Sequence, residues 1–246
     1  MLAFSLMVTG CAMPVVEGPV GRGDGWTLLF ADEFDGDAVD WTGWADSSSA
    51  EADDGHGNLD NQQLEWNQAA NCAVSDGLLT VTARRELVVA PSGQIYGWTS
   101  CLLSSHPSFT FQHAFIETRA RFPAEPGFWP GFWTWQAPGV DQWNETDAYE
   151  YYSDNRSLLY QTAHAGTSDG CDVAIDFDPS ADFHVYGADI AEDGTTYYVD
   201  GQMTCRVEVT QRAETAIVDD LFVYAAIPPV VDHAEKQVDY IRAWQR

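Results

Sequence analysis

Three carboxylates stand close together in one segment, Trp143-Asn144-Glu145-Thr146-Asp147-Ala148-Tyr149-Glu150. The segment reads as a β-strand, since it is rich in β-type residues and bounded by turn formers. Side chains alternate between the faces of a strand, so Trp143, Glu145 and Asp147 share one face. Glu150 lies an odd number of residues further on and points the other way, unless a β-bulge between Asp147 and Glu150 returns it. Bulges are frequent beside active sites. Acids aligned on one face repel each other, and on a core face they would be buried unpaired. Glycosidic-bond hydrolysis would use them. It needs two carboxyl groups, roughly 5–5.5 Å apart when configuration is retained. With the bulge, Glu145 and Glu150 are about four strand steps apart, on the order of 13 Å between backbones. Their side chains can lean together across much of that gap. Asp147 between them can hydrogen-bond the nucleophile and keep the protonation states of the pair distinct. On spacing alone, an exposed acidic strand in an acidic protein accounts for these residues equally well.

A second constellation is aromatic. In GFWPGFWTW, a period of two puts Trp129, Trp133 and Trp135 on one face together with Gly131, and Phe128 and Phe132 on the other. Indole planes suit the apolar C–H faces of pyranose rings, whereas core packing would use either face. Trp143 shares the parity of Glu145 and lies in a cleft if Glu145 does.

The elements that must position these residues are short β-type runs separated by Gly, Pro, Asp, Asn or Ser. They include WTLLF, GLLTVTARR, AFIETRARF, FHVYGADI, TTYYVDG, LFVYAAI and QVDYIRAW. Helical periodicity is not sustained anywhere. The Asp-Gly pair in YYVDGQMT marks a tight hairpin. Many short antiparallel strands without interleaved helices imply an all-β sandwich or jelly roll of two antiparallel sheets. One domain over residues 26–246 is expected, with residues 1–25 a signal- or lipoprotein-like segment and a Pro/Gly-rich linker.

Bulk composition narrows the function classes. Of 246 residues, 38 are acidic and 11 basic, giving a formal net charge of −27. Phosphate backbones and anionic lipid repel such a chain, which argues against nucleic-acid partners. Val8-Thr9-Gly10-Cys11 resembles a lipoprotein cleavage box, so membrane contact is expected only through a lipid on Cys11. The remaining cysteines, Cys72, Cys101, Cys171 and Cys205, are even in number and lack metal-site spacing. They suit two disulfides, Cys72–Cys101 and Cys171–Cys205, because each pair falls in strands near in sequence. The expected setting is outside the cell, as a secreted or surface-anchored bacterial monomer.

The ordered motifs resemble glycoside hydrolase family 16 over nearly the whole chain from Trp26. The acidic segment is similar to the signature E-aliphatic-D-x-x-E in its bulged, laminarinase-like form. LLFADEFDG, DNQQLEW with VSDGLLTVTARRE, GFWPGFWTW, DFHVYGADI, YYVDG and QVDYIRAWQR resemble the flanking blocks in the same order. The resemblance implies a β-jelly roll with a concave sheet forming an open cleft. It makes Glu145 the nucleophile, Asp147 the assisting acid and Glu150 the acid/base, whose pKa the charges of Glu145 and Asp147 are expected to raise. Trp133, Trp135 and Trp143 become sugar-binding aromatics, and His164 a neighbour of the acid/base. Glu33, Gly77 and Asp239 resemble positions that bind a structural Ca2+, and no cofactor is implied for catalysis. The implied activity is retaining endo-hydrolysis of a β-linked polysaccharide, laminarin-like β-1,3-glucan first. Leu102, where many members carry a sugar-binding arginine, leaves a galactan or another polymer open. A carbohydrate-binding module on the same fold is the rival from another class. Thr146 in place of an aliphatic residue and Asn144 in place of glycine depart from the family pattern. Asn144-Glu145-Thr146 is also a glycosylation sequon.

Overall fold

The structure, a computed structural model, describes residues 18–246; Cys11 and its lipoprotein-like segment lie outside the described residues. The apolar runs form strands, and the strands form two large antiparallel-dominated sheets packed face to face, with a small two-stranded hairpin apart. One sheet has six strands in the order Ser168–Ala174, Leu158–His164, Glu145–Glu150, Phe128–Gln136, Thr215–Val223 and Leu102–Ser104. The other is built on Ala114–Arg121, His184–Ala191, Leu78–Arg84 and the long closing strand His233–Gln245, with shorter strands at its margins. Three short 3-10 turns are the helical elements of the described residues.

Alternation places the core. Phe128, Phe132, Ala148, Tyr149, Leu159, Ile217, Leu221 and Val223 point from the six-stranded sheet inward. They meet Leu79, Val81, Ile116, Tyr186, Ala188, Val238 and Ile241 from the other sheet. The Asp-Gly pair of YYVDGQMT closes a hairpin as expected, and a second pair, Asp76-Gly77, closes another. Asp200 (φ 47°) and Gly201 (φ 73°) are both left-handed, as are Asp76 (φ 55°) and Gly77 (φ 74°), the backbone of a type I′ turn.

The disulfides are Cys72–Cys101 and Cys171–Cys205. Cys171–Cys205 joins the edge strand of the six-stranded sheet to the edge strand of the other, at Gln202–Val207. It therefore clamps the two layers together.

Within residues 1–25, expected as a leader-like segment and linker, the described part packs on the sheet. Val20 N–H donates to Glu117 at 2.8 Å, and Arg22 donates to the Gly201 carbonyl at 2.7 Å while its guanidinium lies over Tyr198. Pro and Gly there shape a strap that packs on the sheet. The proposed calcium residues are also differently employed. Glu33 takes two bonds from Arg242, both 2.7 Å, and Asp239 takes one from Arg119 at 2.6 Å. Gly77 serves its turn. The side-chain oxygens of Glu33 and Asp239 are thus paired with arginines, so a calcium there would draw on backbone carbonyls. Among the described residues, no group of three or more His, Cys, Asp or Glu converges to hold a metal.

Candidate active site

The acidic strand pairs with the tryptophan strand on one side and with Leu158–His164 on the other. Against the tryptophan strand, Glu145 faces Trp135, Asp147 faces Trp133 and Glu150 faces Gly131. Against the other neighbour, the same acids face His164, Thr162 and Tyr160. Each neighbour advances by even steps while the acidic strand advances by two and then three. The register shifts between Asp147 and Glu150. This is the expected bulge, and it returns Glu150 to the face of Glu145. The inserted stretch, Ala148 and Tyr149, is fully buried in the core, where Tyr149 packs on Phe122 and Tyr186.

All three acids line one cleft of about 500 Å³, together with Trp129, Trp133, Trp135, Trp143 and His164. Every catalytic and sugar-binding residue expected from the sequence is thus brought together. Phe128 and Phe132 take the core face, so the parity argument holds in both directions. Gly131 sits in a tight place. A Cβ there would meet Asp220 Oδ1 at 3.0 Å and the Trp133 ring at 3.2 Å.

Side-chain contacts give the acids separate surroundings. Trp143 is half exposed, stacks on His164 with ring centroids 4.8 Å apart, and donates its indole N–H to Glu145 at 2.6 Å. His164 Nε2 lies 3.3 Å from Asp147, and its Nδ1 is 2.6 Å from Ser168 Oγ. Glu150 accepts from the Tyr152 hydroxyl at 3.0 Å. Burial raises the Glu145 pKa, the charge of Asp147 raises it further, and the Trp143 N–H opposes both. Asp147, only 3% exposed, is raised well above the carboxylate range by burial and then by Glu150 and Asp220. Glu150 is raised as expected, but burial is the cause, against the lowering effects of Tyr152 and His164. Repulsion within the cluster falls instead on Glu145 and Asp147. All three carboxyls are therefore raised mainly by burial, Glu145 to about 8, and the Trp143 N–H is the contact that favours the ionised form of Glu145.

The departures around Glu145 form a polar network on the core side. Thr146 N–H donates to Thr134 Oγ1 at 3.0 Å, and Gln211 Nε2 reaches both Thr134 and Thr146 hydroxyls. Asn144 is buried, its Oδ1 accepting from Arg212 N–H at 2.6 Å and its Nδ2 donating to the Gln142 carbonyl. A threonine thus replaces an aliphatic residue without leaving its hydroxyl unpaired. The sequon asparagine has its side chain committed inside the fold.

Sequence reasoning passed over several cleft residues. Glu51 and Gln63, with Asn58, Asp60 and Asn61, form a wall from the long segment that precedes Glu65–Asn67. Tyr152 is the neighbour of Glu150. Asp220, buried beneath the floor, accepts from the Trp133 indole and from Gly131 N–H. Two adjacent acids, Asp219-Asp220, inside the apolar run AIVDDLFVY were the available signal. Acids in a buried strand require partners, and the partner is Lys236, the only lysine of the chain. It is fully buried and donates to Asp219 Oδ1 at 2.7 Å and to the carbonyls of Gly131 and Asp220 at 2.7 and 2.9 Å.

With this geometry in place, comparison with known proteins settles the family. Residues 58–240 match glycosyl hydrolases family 16. The chain belongs to that family. An endo-1,3-1,4-beta-glycanase of Rhizobium meliloti, EglC, is 27% identical over 206 residues, which are 75% of this chain and 43% of that protein. This family 16 chain therefore spans less than half the length of that relative. A glucan endo-1,3-beta-glucosidase of Cryptopygus antarcticus is 29% identical over 192 residues, 72% of this chain and 68% of that one. The laminarinase catalytic domain of Thermotoga maritima superposes with a TM-score of 0.80 at 25% identity, covering 91% of this chain and 99% of that domain. The two-sheet jelly roll expected from the sequence is the fold of the family 16 chain.

Proposed function

We propose that this chain cleaves internal bonds of a β-linked glucan, β-1,3-glucan first, with retention at the anomeric carbon. The observation that carries the reading is a single one. Glu145, Asp147 and Glu150 share one tryptophan-walled cleft because a bulge restores their common face. Relatives described as acting on 1,3- and 1,3-1,4-linked β-glucans support the choice of polymer. Two disulfides support an exported enzyme, since such bonds persist in oxidising surroundings.

In this reading Glu145 attacks the anomeric carbon as a carboxylate, oriented by the Trp143 N–H. Glu150, kept protonated by burial, gives its proton to the departing glycosidic oxygen. It then takes a proton from the water that releases the glycosyl–Glu145 ester. Asp147 holds a proton between the two and can hydrogen-bond Glu145, so that a third negative charge does not accumulate. Trp129, Trp133, Trp135 and Trp143 offer ring planes for the sugar units.

The test is stereochemical. NMR of laminarin digestion before mutarotation should show the β-anomer first. In Glu150→Ala, an activated aryl β-glycoside should still glycosylate Glu145, and azide should restore turnover as a β-glycosyl azide. An α-anomer as first product would refute the assignment, because an inverting pair must stand roughly 6.5–9.5 Å apart to admit water.

A further inference from the structure

The wall of the cleft holds two polar atoms that find no partner among the described residues. Glu51 is 8% exposed and Gln63 1%, and both line the cleft. They touch through one contact, Gln63 Nε2 donating to Glu51 Oε1 at 3.4 Å. The other oxygens, Glu51 Oε2 and Gln63 Oε1, are buried without a hydrogen-bond partner. The backbone holds the pair in place: Glu51 N–H donates to the Ser48 carbonyl at 3.1 Å, and Gln63 bridges to Tyr224. Leaving a buried oxygen unpaired forfeits the hydrogen bonds it made to water. A fold carries that cost where something else completes the bonds.

We propose that Glu51 and Gln63 together hold one sugar hydroxyl of the glucan beside Glu145, the glutamic acid donating and the glutamine carbonyl accepting. The inference rests on the glucan reading above and adds a residue pair that selects the substrate. A hydroxyl is both donor and acceptor, so it needs both kinds of partner. Glu51 can donate because it keeps its proton: burial first, then the charge of Asp220, pushes its pKa up to about 8. The groups that face it are all acidic or neutral, namely Asp220, Glu145 and Gln63, with the buried Glu65 and Tyr96 behind. A neutral carboxyl of this kind can serve as a donor at neutral pH. Sites built around a hydroxyl discriminate strongly against analogues that lack it.

The experiment uses the full chain with Glu145→Gln to stop turnover, and measures binding of a β-1,3-gluco-hexaose by calorimetry. Adding Glu51→Leu should weaken binding by roughly 5- to 20-fold, the loss expected for one well-placed hydrogen bond and its stranded partner. Gln63→Leu should do the same. Glu51→Gln keeps the shape and the donor, and should recover affinity to within about threefold. Raising the pH from 7 to 9 should weaken binding more where Glu51 is present than in the Glu51→Gln form. Asp220 titrates in both, so the difference isolates Glu51. Equal affinity with and without the Glu51→Leu substitution would overturn the proposal. So would a fall in melting temperature at unchanged affinity, because the acid would then only pair with Gln63 internally. If the Glu145→Gln protein binds no gluco-oligosaccharide, the glucan reading falls first, and this inference with it.

Discussion

Replacing the only lysine, Lys236→Met, should be among the most destabilising single changes available to this chain. Lys236 and Asp219 are both fully buried, and their ion pair is 2.7 Å long. Methionine fills a similar volume, so the packing term is small and the charge term dominates. Breaking a buried pair from one side typically costs about 3–5 kcal/mol, because the remaining charge is left uncompensated. For a domain of this size each kcal/mol moves the melting temperature by about 2–4 °C, so a drop on the order of 6–20 °C is expected. Removing both partners, Asp219→Leu with Lys236→Met, should recover most of that loss. About 1 kcal/mol for each of the Gly131 and Asp220 carbonyls that lose their donor should remain. The loss should also depend on pH. Burial already raises Asp219 against the pull of Lys236, and removing the lysine raises it further. A carboxyl raised in the folded state adds stability that is complete below its unfolded pKa and lost as pH rises through the folded one. The deficit of Lys236→Met should therefore narrow as pH falls from 8 towards 5. Activity should suffer as well, since Lys236 restrains Asp220, whose pKa of about 7 the lysine lowers more than any other neighbour does. Asp220 in turn holds the Trp133 indole. Urea unfolding of both variants at pH 5 and 8, with laminarin hydrolysis alongside, is the assay. A Lys236→Met protein within about 1 kcal/mol of wild type at pH 8 would refute the reasoning.

Glu145→Gln and Glu150→Gln should each abolish laminarin hydrolysis with little change in melting temperature, whereas Asp147→Asn should retain measurable turnover. Trp143→Phe should leave stability nearly unchanged, because Trp143 is half exposed. It should nevertheless move the acid limb of the kcat/KM profile to higher pH, since the N–H that favours ionised Glu145 is gone. Thiol titration of the unfolded, unreduced protein should find no free group among Cys72, Cys101, Cys171 and Cys205. Loop lengths of 29 and 34 residues give about 3.5 kcal/mol for each bond in the chain-entropy treatment. Reduction should therefore lower the urea midpoint clearly.

The candidate site was legible in one dimension because its parts obey strand parity. Trp143, Glu145 and Asp147 share a face by alternation alone, and GFWPGFWTW separates its tryptophans from its phenylalanines in the same way. The bulge was legible too, since Glu150 could join the others by no other local means. The disulfides followed from cysteines in strands near in sequence. What the chain order could not express was the meeting of distant segments. Glu51 and Gln63 become cleft residues only because the segment before Glu65–Asn67 folds over the six-stranded sheet. Lys236 lies near the end of the chain, yet it reaches Gly131 and Asp219 through the sandwich, 105 and 17 residues away. The carboxylates at Glu33 and Asp239 looked alike in sequence to free cation ligands, and the arginines that claim them, Arg242 and Arg119, arrive from other strand positions. Local alternation depends on backbone geometry and is written into every strand. Partnership between buried charges depends on which strands become neighbours, and tertiary packing alone decides that.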